Sequence, residues 1–117
     1  MSHKIMIVED NSGFSRVLKD EIENSGYEAI AVDNGVDALL RYLEGDIHLI
    51  LMDVVMPKLS GIDALRIIRK IDPAAKVVII TGNPTDEMRK EAMNLGAVEF
   101  LTKPFSLKSL IEILKAA

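Results

Sequence analysis

The sequence predicts a three-layer α/β sandwich, a five-stranded parallel sheet with helices on both faces. Two observations predict it. Five short apolar runs alternate with five segments of helical periodicity along 117 residues. Two of those runs, Leu49-Ile50-Leu51-Met52 and Val77-Val78-Ile79-Ile80, are apolar without alternation, as in strands covered on both faces. Crossovers between parallel strands are right-handed almost without exception, so all five strand C-termini should gather along one edge.

The elements follow in order. Lys4–Val8 is a first strand, closed by Glu9-Asp10. Asn11 or Ser12 caps a helix reaching about Ser25, with Phe14, Val17, Leu18 and Ile22 as its inner face and Gly26 as its stop. Tyr27–Val32 is a second strand. Asn34 starts a second helix, ending near Gly45, whose expected inner stripe is Val36, Leu39, Leu40 and Leu43. The central strand runs to Asp53, and a loop through Pro57 leads to Gly61. Ser60 with Asp63 resembles a capping arrangement for a third helix, with Leu65, Ile68 and Ile71 inward, broken at Asp72-Pro73. Lys76–Ile80 is β-branched from Val77 on and ends at Thr81. A fourth helix, about Thr85–Leu95, has a thin inner set of Met88, Ala92 and Leu95 and stops at Gly96. Val98–Leu101 is the fifth strand, followed by Thr102-Lys103-Pro104. A last helix from Ser106 carries Leu107, Leu110, Ile111 and Leu114.

Composition narrows the class. With 49% apolar residues and no repeat or linker, residues 1–117 are expected to form one domain with a real core. No run is long enough for a membrane span, and Met1-Ser2-His3-Lys4 leads straight into Ile5–Val8 with no visible signal peptide, so a cytoplasmic location is expected. The absence of cysteine removes disulfides and thiol chemistry, and a net charge of −4 argues against nonspecific nucleic-acid binding.

The strand ends carry the chemistry. Glu9-Asp10, Asp53, Thr81 and Lys103 each close or follow a strand and so share the rim where open α/β sheets bind ligands. Two carboxylates about 4 Å apart repel by about 4 kcal/mol at an effective dielectric near 20, so three need a cation or a proton. Their hard oxygens suit Mg²⁺, or another divalent ion such as Mn²⁺, held by Asp10, Asp53 and a backbone carbonyl just past Asp53, with Glu9 partly through water. Asp53 is then a candidate nucleophile for a phosphoryl group, Lys103 a neutraliser of one phosphoryl oxygen, and the Thr81 hydroxyl a donor to another. Three other readings fit these residues less well. A flavin phosphate would be repelled by Glu9-Asp10. An aspartyl phosphatase commonly has a second Asp where this chain has Val55. A phosphorylation-independent binding module would not need the intact set. His3 and His48 are read as too far apart to form a metal site, the six methionines as core filler, and Ile113 as lying off the main stripe of the last helix, toward a partner surface.

These residues resemble the receiver domain of two-component response regulators, in particular its single-domain, chemotaxis-type members. The marks are Glu9-Asp10, the segment Asp53-Val54-Val55-Met56-Pro57 with Gly61 downstream, Thr81-Gly82, and Phe100 before Lys103-Pro104-Phe105. The resemblance runs from Lys4 to the C-terminus and implies a flavodoxin-like sheet of order 2-1-3-4-5, of which receivers are a standing example. It implies that Asp53 accepts a phosphoryl group from a histidine kinase or histidine phosphotransfer protein, with Val55 supplying the carbonyl ligand to the metal. It implies a cis Lys103–Pro104 peptide and a switch in which Thr81 moves toward phosphate and Phe100 fills the vacated space. Phe100 lacks the hydroxyl that many relatives carry as Tyr. Val55 and Asn83 occupy the positions that tune phosphoryl lifetime, and a slow autodephosphorylation is expected. The output would pass through helix 4, strand 5 and helix 5 to a downstream protein target or effector domain, and the resemblance allows a phosphorylation-dependent homodimer as well.

Overall fold

A computed structural model describes residues 3–117. Ten elements alternate: β1 (Lys4–Val8), α1 (Ser12–Asn24), β2 (Glu28–Val32), α2 (Gly35–Leu43), β3 (Leu49–Asp53), α3 (Gly61–Ile71), β4 (Val77–Thr81), α4 (Asp86–Asn94), β5 (Glu99–Thr102) and α5 (Leu107–Ala116). The strands form one parallel sheet in the order β2-β1-β3-β4-β5. The expected fold class and strand order are both present.

Residues alternate across the sheet, as strand geometry requires. In β1, Ile5 and Ile7 join Leu18, Ile22, Leu110 and Leu114 in a core under α1 and α5. Met6 and Val8 point the other way, to a second core with Ala38, Leu65, Ile68 and Ala92 under α2, α3 and α4. Strands β3 and β4 are buried along their whole lengths, which accounts for their unbroken apolar sequences. Each helix starts on a capping side chain: Asn11, Asn34, Ser60, Thr85 and Ser106 accept from the amides of Phe14, Asp37, Asp63, Met88 and Ser109 respectively. Gly26, Gly45 and Gly96 follow α1, α2 and α4 with φ between 93° and 97°, which favours glycine.

Several inner faces differ from the expected stripes. In α2, Ala38 is buried and Leu39 and Tyr42 pack on the core, whereas Val36, Leu40 and Leu43 are exposed. The cause is close approach: a Cβ on Gly35 would lie 2.6 Å from the Leu59 carbonyl oxygen, so the small residues Gly35 and Ala38 face inward and the bulky ones turn out. In α1, Val17 is exposed and Ser15 is buried in its place. Ile71 ends α3 half exposed, and Leu107 lies in the open first turn of α5. Ile113, expected off the main stripe, is partly buried and packs against the α1–α5 core.

Candidate functional site

The parallel register delivers the polar rim. Val8 pairs with Met52, Asp53 with Ile80 and Thr81 with Thr102, so Glu9-Asp10, Asp53, Thr81 and Lys103 leave the sheet at one level. Glu9, Asp53 and Thr81 are buried, at 2%, 6% and 1% exposure, while Asp10 is exposed. One oxygen from each of Glu9, Asp10 and Asp53 lies within 4.8 Å of the other two.

Lys103 enters this group from the far side. Its ammonium donates to Glu9 Oε1 at 2.5 Å and to Asp53 Oδ2 at 3.0 Å. The remaining carboxylate oxygens are held by the backbone: Glu9 Oε2 accepts from Asn11 N at 3.1 Å and Asp53 Oδ1 from Val55 N at 3.3 Å. The peptide Lys103–Pro104 is cis, as expected, and Lys103 N donates to the Thr81 carbonyl at 2.8 Å. Burial raises the Glu9 carboxyl above its ordinary value against the pull of the Lys103 and Asn11 hydrogen bonds. Burial also works against the Lys103 charge, but its hydrogen bonds to Glu9 and Asp53 prevail and hold the ammonium above its ordinary value.

The close turn after Asp53 has a steric cause. Gly61 N donates to the Val54 carbonyl at 2.9 Å, and a Cβ on Gly61 would lie 2.1 Å from the Asp53 carbonyl oxygen. Only glycine lets the start of α3 pass so near the Asp53 backbone. Thr81 Oγ1 accepts from Asn83 N at 3.2 Å, which leaves its proton free to donate elsewhere. The side chains of Val55 and Asn83 are exposed at the rim. Phe100 is buried at 4%, with the Arg89 guanidinium 4.6 Å from its ring centre.

Three carboxylates against one ammonium leave an excess of negative charge, and the donor set is all oxygen. That combination fits a hard divalent cation. Some contacts have no sequence signature. The Lys103 ammonium lies 4.5 Å from the centre of the Phe14 ring, and Arg89 covers Phe100. The reading of His3 and His48 as distant is corrected: their rings stack at 3.8 Å, because β1 and β3 run side by side from their first residues. Among the described residues the buried His48 Nε2 has no hydrogen-bond partner, and burial with the neighbouring His3 and Lys76 lowers the ring's pKa. Parallel rings direct their in-plane lone pairs side by side, not at a shared ion.

Residues 5–115 match the family model of the response regulator receiver domain. The chain is 36% identical over 115 residues to the chemotaxis protein CheY of Thermotoga maritima, covering 97% of this chain and 96% of that protein. It is 36% identical over 113 residues to the uncharacterized transcriptional regulatory protein YkoG of Bacillus subtilis, 97% of this chain but 50% of that protein, so it spans half the length of this relative. Among solved structures, response regulator protein TrrA of Thermotoga maritima in complex with Mg²⁺–BeF matches at a TM-score of 0.88 and 30% identity, over 99% of this chain and 98% of that one.

Proposed function

This chain belongs to the response regulator receiver domains of two-component signalling, and on that premise we propose that Asp53 is its phosphoacceptor. The observation that carries the assignment is the bridged cluster: Lys103 joined to both Glu9 and Asp53, with Asp10 alongside.

Glu9, Asp10, Asp53 and the Val55 carbonyl would hold Mg²⁺ or Mn²⁺, which when bound offsets negative charge on the phosphoryl oxygens. One Asp53 carboxylate oxygen attacks phosphorus. A P–O bond forms as the P–N bond to the donor's phosphohistidine breaks, and the imidazole leaves with its electron pair and takes a proton from solvent. The Lys103 ammonium exchanges its Asp53 contact for a phosphoryl oxygen, and the Thr81 hydroxyl, free as a donor, donates to another. Thr81 also accepts the Lys103 amide through its carbonyl, so a shift of either is felt at the exit of β5 and at the adjoining Phe100. Phe100 is already buried, and phosphorylation would tighten its inward position and bias the surface of α4, β5 and α5. Partners would be a histidine kinase or phosphotransfer protein upstream and a protein target or effector domain downstream. Among the described residues no helix is long and apolar enough to cross a membrane; the proposed location, the cytoplasm, rests on the likeness to chemotaxis proteins.

Receiver domains are signalling domains, generally without catalytic turnover of a separate substrate. The reaction here is self-directed, and loss of phosphate by autodephosphorylation completes the cycle. Incubation with acetyl phosphate and Mg²⁺, followed by intact mass, should show one added phosphoryl group on wild type and none on Asp53→Ala. Equal labelling of both would place the acceptor elsewhere.

A further inference from the structure

The Lys103 ammonium has three N–H donors. Two are directed to Glu9 and Asp53, and its nitrogen lies 4.5 Å from the centre of the Phe14 ring, within cation–π range. Phe14 is fixed in turn. Its amide is bound by the capping side chain of Asn11 at 3.0 Å, and its ring meets Phe105 edge to face at 6.1 Å and 77°. Phe105 follows the Lys103–Pro104 peptide, so the two aromatic rings tie the start of α1 to the segment that carries the ammonium.

We infer that Phe14 is a positioning residue for phosphoryl acceptance, its ring face holding the Lys103 ammonium in place while the anionic partners of that ammonium change. The inference rests on the reading of Asp53 as phosphoacceptor. In that reaction Asp53 becomes an acyl phosphate and Glu9 would be drawn to a bound cation, so both present partners of Lys103 would be altered at the moment its charge is needed. The ring is neutral, and phosphorylation leaves it unchanged. It keeps one side of the ammonium free of water and limits how far the four-carbon stem can stray.

The test compares Phe14→Leu, which keeps an apolar side chain without a π face, with Phe14→Tyr, which keeps the face. In the phosphate-free wild type the Lys103 ε-methylene protons should show an upfield ring-current shift, retained in Phe14→Tyr and lost in Phe14→Leu. With acetyl phosphate and Mg²⁺, at a temperature where all variants are folded by circular dichroism, Phe14→Leu should be phosphorylated about fivefold more slowly and Phe14→Tyr within about twofold of wild type. A wild-type protein that takes up no phosphoryl group overturns both this inference and the reading beneath it. A wild type that is phosphorylated, with Phe14→Leu equally fast or Lys103 protons unshifted, overturns the role of Phe14 alone.

Discussion

Replacing Gly61 by Ala tests the steric logic of the site directly. The new Cβ would stand 2.1 Å from the Asp53 carbonyl oxygen and 2.9 Å from both Asp53 C and Val54 Cα. Since real Cβ atoms keep about 3.0 Å from such neighbours, the Asp53 backbone and the start of α3 must separate by about 0.9 Å. Both are in close-packed surroundings, Asp53 and Val54 being 6% and 7% exposed. Forcing an extra carbon into such a place costs about 1–3 kcal/mol. A displacement near 1 Å at a reacting group also costs about 100-fold in rate. Urea denaturation would read the first quantity and the initial rate of acetyl phosphate labelling the second. Gly13→Ala is the control: its Cβ meets only Asn11 Oδ1 at 3.4 Å, an ordinary contact, and a helical Gly→Ala change stabilises by about 0.5–1 kcal/mol. If Gly61→Ala unfolds and labels like wild type, the close passage of α3 does not set the position of Asp53.

Three other outcomes are expected. Asn34 caps α2 and donates to Asp33 at 2.7 Å and Asp37 at 2.8 Å, so Asn34→Ala should cost about 1–2 kcal/mol in urea denaturation, and a loss of only a few tenths would refute that role. Burial, followed by the hydrogen bond and negative charge of Asp72, pushes the Tyr42 phenol up to about 12, so one tyrosinate absorbance step should fall there and vanish in Tyr42→Phe. Because the folded value is raised, this contact stabilises fully below pH 10 and is lost as pH climbs toward 12; the same bond holds the Asp72 carboxyl below its ordinary value, so its contribution is also lost as pH falls below the carboxylate range, and both limbs should move in Tyr42→Phe. Val55→Asn should shorten the lifetime of the phosphorylated protein, because an amide at that exposed rim can orient an attacking water and valine cannot; an unchanged decay of the labelled mass would count against it.

The rim was legible because burial is costly for charge, so polar residues closing apolar runs at Glu9, Asp53, Thr81 and Lys103 stand out against the sequence around them. Helix starts were legible for a similar reason, since the caps at Asn11, Asn34, Ser60, Thr85 and Ser106 act on amides three residues away. The orientation of α2 was not. Periodicity weighs side chains by hydrophobicity, whereas the packing at Gly35 and Ala38 selects for small size against the Leu59 carbonyl. Contacts such as Phe14 with Lys103, His3 with His48 and Arg89 with Phe100 join different elements, and no local spacing encodes them.

The cation between the carboxylates comes from 94 residues beyond Glu9 and 50 beyond Asp53. A nascent chain that still lacks its last strand, or a copy in which that strand has come away, therefore leaves Glu9 and Asp53 without the ammonium that joins them. On the reading of Asp53 as phosphoacceptor, reception of the signal thus waits on the last strand to be made, because only then is the ammonium delivered to the rim.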